Sequence, residues 1–226
     1  MVFTLIKGGL LMNNPQLIVF ASGSATGGGS GFEKLVEASR TDVLRAKIVA
    51  VVSNHGSGGV RERADRLGVP FVHFAAPWSA DRYRELIREL APDFIALSGW
   101  LKLAAGLNPR ITFNIHPGPL PDFGGPGMYG HHVHEAIMQA YRAGKITHSA
   151  VSMHFATEEY DRGPVFFRLP VEILPTDTPD DIGARVNKAE HEWQARITDH
   201  VVNGRIGWDG KDPRSLRVPN GYQFLP

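Results

Sequence analysis

The chain has 226 residues, 42% of them hydrophobic and 21% charged, with a formal net charge of +1. That length suits one domain with a sizeable core, and the near-neutral balance gives no basis for nucleic-acid binding, which needs a strong basic excess. With no cysteine in the chain, disulfides, Cys-ligated zinc and thiol nucleophiles are excluded.

In chain order, residues 1–14 read as an N-terminal extension, apolar but too short for a signal peptide. No stretch approaches the roughly 18 apolar residues of a membrane span, so no membrane partner and a cytoplasmic location are expected. Gln16–Ala21 is an apolar run that ends in the loop Ser22–Gly31, and Phe32–Arg40 has apolar residues at helical spacing. Lys47–Ser53 is a β-branched strand run. Gly59–Leu67 reads as a helix, Phe71–Phe74 as a strand and Ser79–Leu90 as a helix. Asp93–Leu97 and Ile111–Ile115 read as strands. This alternation is the pattern of βαβ units and a parallel sheet. His131–Ala143 is helical, and Ala150–Phe155 with Val165–Ile173 form an antiparallel pair. Thr178–Val202 is a helix with Thr178 as N-cap and Pro179 in its first turn. The expectation is one α/β domain, 15–208, with a Rossmann-like open sheet. The sheet is mostly parallel, with an antiparallel strand near the C-terminal end and helices on both faces. Residues 209–226 form a surface strap.

Two segments carry chemistry. The loop SGSATGGGSG, Ser22–Gly31, lies between the first strand and the first helix. Backbone N–H groups and a helix N-terminus at that place suit a phosphate. The loop is neither G-x-G-x-x-G nor a P-loop with Lys, and Ser53-Asn54-His55 offers no acid for a ribose diol, which weakens a dinucleotide reading. In Phe113-Asn114-Ile115-His116-Pro117, alternation puts Asn114 and His116 on one side of a strand, about 6–7 Å apart. A carboxylate from the turn Glu158–Pro164 facing His116 would raise its pKa from about 6.5. A zinc site built from His131, His132 and His134 lacks a carboxylate partner in register and is disfavoured.

Asn114-Ile115-His116-Pro117, then Leu120-Pro121, His154-Phe155 and Asp161-x-Gly163-Pro164, resemble the folate-dependent formyltransferase family in residues, order and separation. The stretches Gly127–Ala136, Leu174–Pro179 and Ala184–His191 are similar to the branch of that family acting on glycinamide ribonucleotide. The resemblance implies formyl transfer from 10-formyltetrahydrofolate, as co-substrate and without a metal, to a phosphoribosyl amine in purine synthesis. It implies small-molecule partners and a monomer or homodimer. It assigns catalysis to Asn114, His116 and Asp161. Gly29, Ser30 and Gly31 align with the end of the family's phosphate loop, where Gly31 replaces the usual Asn and the loop is longer. Asn187 and Glu190, i and i+3 on one helix face, would serve phosphate and ribose. The segment Trp100-Leu101-Lys102-Leu103-Ala104, with Glu159 and Tyr160, would hold the folate, and Arg82 would meet its glutamate. A sugar-nucleotide formyltransferase, a formyltetrahydrofolate hydrolase and a non-catalytic folate- or phosphate-binding module stay open as alternatives.

Overall fold

The computed structural model describes residues 14–25 and 27–226; of the expected extension at 1–14, all but Asn14 lies outside them. Among the described residues seven strands form one sheet: β1 (Gln16–Phe20), β2 (Lys47–Ser53), β3 (Phe71–His73), β4 (Phe94–Ser98), β5 (Thr112–His116), β6 (His148–Phe155) and β7 (Val165–Glu172). Their order is β3-β2-β1-β4-β5-β6-β7. The pairings from β3 to β5 are parallel, whereas β6 runs against both β5 and β7. The sheet is therefore mostly parallel with one reversed strand.

The helices are α1 (Ser30–Ser39), α2 (Gly59–Leu67), α3 (Ala80–Leu90), α4 (His131–Arg142) and α5 (Pro179–Val202). Each central strand is apolar on both sides because both sheet faces are covered. Along β1, Leu17 and Val19 join a core with side chains of α1, α2, α4 and α5, while Ile18 and Phe20 join a second core with Tyr83 and Leu86 of α3. Helices thus cover both faces, four on one and one on the other.

Several helix ends follow from local chemistry. Ser79 Oγ accepts from Arg82 N–H at the start of α3. At α5, Thr178 and Asp181 form a reciprocal capping box with Pro179 at the first position. Beyond α5, the chain returns across the sheet edge. Arg168 N–H of β7 donates to Phe224 O at 2.7 Å, and Phe224 packs on Phe167 and Trp193, with centroids 5.3 and 5.0 Å away. The C-terminal segment so covers an edge that would otherwise expose unpaired backbone.

The strand order reverses between β1 and β4. The loops that follow these two strands diverge there, and ligands of open α/β sheets bind in the crevice this creates.

Candidate active site

The loop after β1 closes back on itself before α1 begins. A Cβ on Gly28 would overlap the Gly23 backbone, so the chain enters and leaves the excursion at one point. Only glycines permit this contact, and both have positive φ. The excursion leans on α2, where Gly59 N–H donates to Ser24 O and Arg63 donates to Gly28 O at 2.9 Å. Gly29, Ser30 and Gly31 are left to open α1 at the crevice. Ser22 ties this loop to the one after β4, its N–H donating to Gly99 O and its Oγ accepting from Leu101 N–H at 3.0 Å.

The crevice is a cavity of about 390 Å³. The glycine loop forms one wall, the end of β5 another, and α5 a third through Asn187, Glu190, His191 and Gln194. These positions follow i, i+3, i+4, i+7 spacing and share a helix face. Burial pushes the Glu190 carboxyl up to about 7, against the opposing Asn187 amide 3.4 Å away. His191 Nε2 lies 3.0 Å from Ser30 Oγ, linking α5 to the loop.

Asn114, His116 and Asp161 all line this cavity, next to a smaller one of about 50 Å³. Asn114 and Asp161 border both. The antiparallel register sets Asn114 opposite His154 and His116 opposite Ser152, so four polar side chains share one sheet face. His154 Nε2 is 3.1 Å from Asn114 Nδ2 and 3.2 Å from Asp161 Oδ1. Ser152 Oγ donates to Gly118 O at 2.7 Å and holds the loop that leaves β5. The sequence alone points to no role for His154 or Ser152. The signal for them is the pairing of the His154-Phe155 strand with the Asn114-x-His116 strand.

Asp161 sits at the turn between β6 and β7 with φ 55°. A Cβ on Gly163 would overlap Phe155 O, so glycine alone lets the turn cross the end of β6. Gly125 N–H donates to Asp161 Oδ2 at 2.9 Å. Burial pushes the Asp161 carboxyl up, but the bonds from His154 and Gly125 and the nearby His116 together outweigh it and hold the pKa below the ordinary range. Arg162 beside it is exposed.

His116 corrects an expectation. Its pKa is lowered, not raised: burial dominates, and the attraction of Asp161, with Nδ1 3.8 Å from Oδ2, does not offset it. Its Nε2 lies 2.7 Å from Phe123 O. A carbonyl only accepts, so Nε2 carries the proton and the neutral ring offers an Nδ1 lone pair.

The segment after β4 lines the smaller cavity through Trp100, Lys102, Leu103 and Ala104, facing Glu159 and Tyr160, while Leu101 borders the larger one. Lys102 Nζ stacks 4.5 Å from the Trp78 ring centroid. Arg82 is not brought to either cavity; it lies on α3 with its guanidinium 5.5 Å from the Phe74 centroid. Of the histidines on α4, His131 reaches Asp180 at 3.0 Å and His132 reaches Glu135 at 3.3 Å, and His134 is buried. Among the described residues no group of three or more His, Asp or Glu side chains is placed to hold a metal.

An open α/β sheet with a glycine loop at its switch point, and an amide, an imidazole and a carboxylate converging beside it, defines a group-transfer site suited to an anionic ligand. The formyl transferase family model matches residues 16–198, and the chain belongs to that family. It is 31% identical over 204 residues to the chloroplastic phosphoribosylglycinamide formyltransferase of Arabidopsis thaliana, covering 85% of this chain and 67% of that one. To phosphoribosylglycinamide formyltransferase of Escherichia coli K12 it is 32% identical over 194 residues, 80% of this chain and 86% of the other. The solved structure of glycinamide ribonucleotide transformylase 1 from Symbiobacterium toebii superposes with a TM-score of 0.77 at 25% identity, covering 92% and 96% of the two chains.

Proposed function

We propose that this chain transfers the formyl group of 10-formyltetrahydrofolate to the amine of glycinamide ribonucleotide, in de novo purine synthesis. One observation carries this reading: Asn114 and Asp161 line two neighbouring compartments, with His116 beside them in the larger one. The larger has a glycine loop and a helix N-terminus suited to a phosphate, with Asn187 to support it, and Glu190 suited to a ribose. The segment after β4 and the Asp161 turn, which flank the smaller one, would have to part to admit the folate, since about 50 Å³ holds no more than a water or two. Two substrates entering from the two sides would meet at the three side chains.

The chemistry follows from the tautomers. The substrate amine attacks the formyl carbon, a C–N bond forms, and the carbonyl becomes an oxyanion. Neutral His116 takes the amine proton at Nδ1. The oxyanion and ionised Asp161 then both favour the imidazolium, which in turn stabilises the oxyanion. Collapse of the intermediate breaks the bond from carbon to the folate nitrogen, and that nitrogen receives the proton. Asn114 donates to the oxyanion through Nδ2. Its contact to Asp161 Oδ1 is long at 3.4 Å, so the hydrogen used there is available to substrate. Asp161 acts by its charge and by holding its neighbours. Loss of one oxyanion donor costs about 10²–10³ in rate.

Residues 15–208 carry the enzyme in this reading, with 209–226 as its edge strap. Its partners are small molecules, its location cytoplasmic and its assembly monomeric or homodimeric. No helix among the described residues is long and apolar enough to cross a membrane. The test is a formyl-transfer assay with 10-formyltetrahydrofolate and glycinamide ribonucleotide. Product should form, and Asn114→Ala should lower kcat at least about a hundredfold. Full activity in that variant refutes the mechanism. Turnover with an amino sugar nucleotide alone refutes the substrate, and folate deformylation without amine consumption marks a hydrolase.

A further inference from the structure

Gln194 is buried, with 2% exposure, yet it borders the cavity. It lies one turn beyond Glu190 on α5. Ser98, the last residue of β4, donates to Gln194 Oε1 at 3.3 Å. Among the described residues the Gln194 amide nitrogen has no hydrogen-bond partner, and it is not sealed off in the protein interior. Its two N–H donors open onto the cavity. A donor held at the cavity wall, with its own oxygen already engaged by Ser98, is placed to donate to an acceptor on a bound molecule.

The glycine loop is shaped around this amide. A Cβ on Gly31 would overlap Ser98 Oγ and lie 3.0 Å from Gln194 Oε1. Position 31 therefore has room for no side chain while Ser98 and Gln194 hold their places. Gly31 is in the first turn of α1, whose leading N–H groups are unpaired within the helix. Ser30 Oγ and His191 lie alongside. The Gln194 amide is thus set beside a helix N-terminus, where an anion is favoured. The acidic residue of that first turn, Glu33, is turned to Arg63 and Arg66.

We infer that Gln194 binds the phosphate-bearing end of the amine substrate through its amide nitrogen, with Ser98 as the residue that positions it. This rests on the reading of the larger cavity as the site of a phosphoribosyl amine. A hydrogen bond to a charged group is worth about tenfold in affinity or more.

Two variants separate binding from structure. Gln194→Met keeps length and burial but removes both donors; Gln194→Glu replaces the donor with an acceptor that repels phosphate. Steady-state kinetics should show KM for glycinamide ribonucleotide raised about tenfold or more in Gln194→Met, and further in Gln194→Glu. kcat and the KM for 10-formyltetrahydrofolate should stay within about threefold. A purely structural role would move both KM values together. An unchanged KM for glycinamide ribonucleotide in a well-folded Gln194→Met overturns the inference. Should that variant unfold, Ser98→Ala decides, because freeing Gln194 must raise the same KM while sparing that of the folate. An unchanged value there also overturns it. Calorimetric titration with ribose 5-phosphate, without folate, distinguishes the two readings. If the wild type binds it, Gln194→Met does not, and glycinamide ribonucleotide is never formylated, the site stands and the activity falls. If formylation proceeds with Gln194→Met indistinguishable from wild type in both assays, the activity stands and the site falls.

Discussion

Replacing Glu190 by Gln probes the cavity wall with little change in shape. Burial raises the Glu190 carboxyl from its ordinary 4.5 to about 7, against the Asn187 amide. Between those values the folded protein holds a proton that the unfolded chain has released. The sign follows directly: the stabilising proton is fully bound in both states below pH 4.5, and stability falls as pH rises toward and through 7. At about 1.4 kcal/mol per pH unit, the gap amounts to ~3 kcal/mol by pH 8. Water in the open cavity reduces this, and ~2 kcal/mol is a fair expectation between pH 5 and 8. Gln carries no such dependence. Thermal unfolding followed by circular dichroism from pH 5 to 8 should therefore show Glu190→Gln gaining on the wild type. At ~2–4 °C per kcal/mol for a chain of this size, the midpoints should separate by roughly 4–8 °C. Parallel midpoint curves across that range would refute the reasoning, since they would mean that the carboxyl is hydrated and titrates at its ordinary pH.

Other outcomes follow from single contacts. Asp161→Asn removes the charge that favours the His116 imidazolium, so kcat should fall about a hundredfold and the acidic limb of the kcat/KM profile should move to lower pH. His116 is buried with its pKa below the ordinary value, so the folded state resists its protonation; the stability this residue confers at neutral pH is lost as pH falls through about 6.5, and His116→Asn should flatten that part of a denaturant-midpoint profile. Gly163→Ala forces a methyl group into Phe155 O and should lower the thermal midpoint by ~6–12 °C, the equivalent of ~3 kcal/mol. Deleting 24–27 joins Gly23 to Gly28, whose backbones already touch; KM for glycinamide ribonucleotide should stay within about threefold, and a larger loss would show that the excursion contributes to binding.

The strands and helices were legible because their periods survive in the sequence. QLIVF and KIVAVVS are apolar on both faces, as central parallel strands must be. The stripe Ile182, Val186, Ile197 and Val201 announces α5, and Thr178-Pro179 announces its start. Boundaries moved by a residue or two where a cap decides them, as at Ser79, whose side chain closes α3 from outside. The partners of the expected site residues were less legible. His154 is adjacent to Asn114 only through antiparallel pairing of strands 40 residues apart, and no local pattern encodes that register. The added length of the glycine loop closes at the contact between Gly23 and Gly28, which no local pattern encodes. Gln194 lies on the same helix face as Asn187 and Glu190, yet its unpaired amide becomes visible only when Ser98 is seen to occupy the oxygen.

The reversal at His116 has the widest consequence. A nearby carboxylate predicts a charged imidazole, and that inference counts one neighbour. Packing counts the rest: the ring is sealed on the sheet face and His154 lies close, so burial prevails and Asp161 recovers only part of the loss. A resting imidazolium could not accept the proton that an attacking amine must lose. A neutral ring whose Nε2 proton is committed to Phe123 O can accept it, and at one atom only, Nδ1, on the side of Asp161. In the proposed mechanism the charge then appears when the oxyanion does, beside a carboxylate already ionised. Burial that opposes charge in the free site is thus what delays it until the intermediate forms, and an interaction stronger in that state than in the ground state is what lowers a barrier.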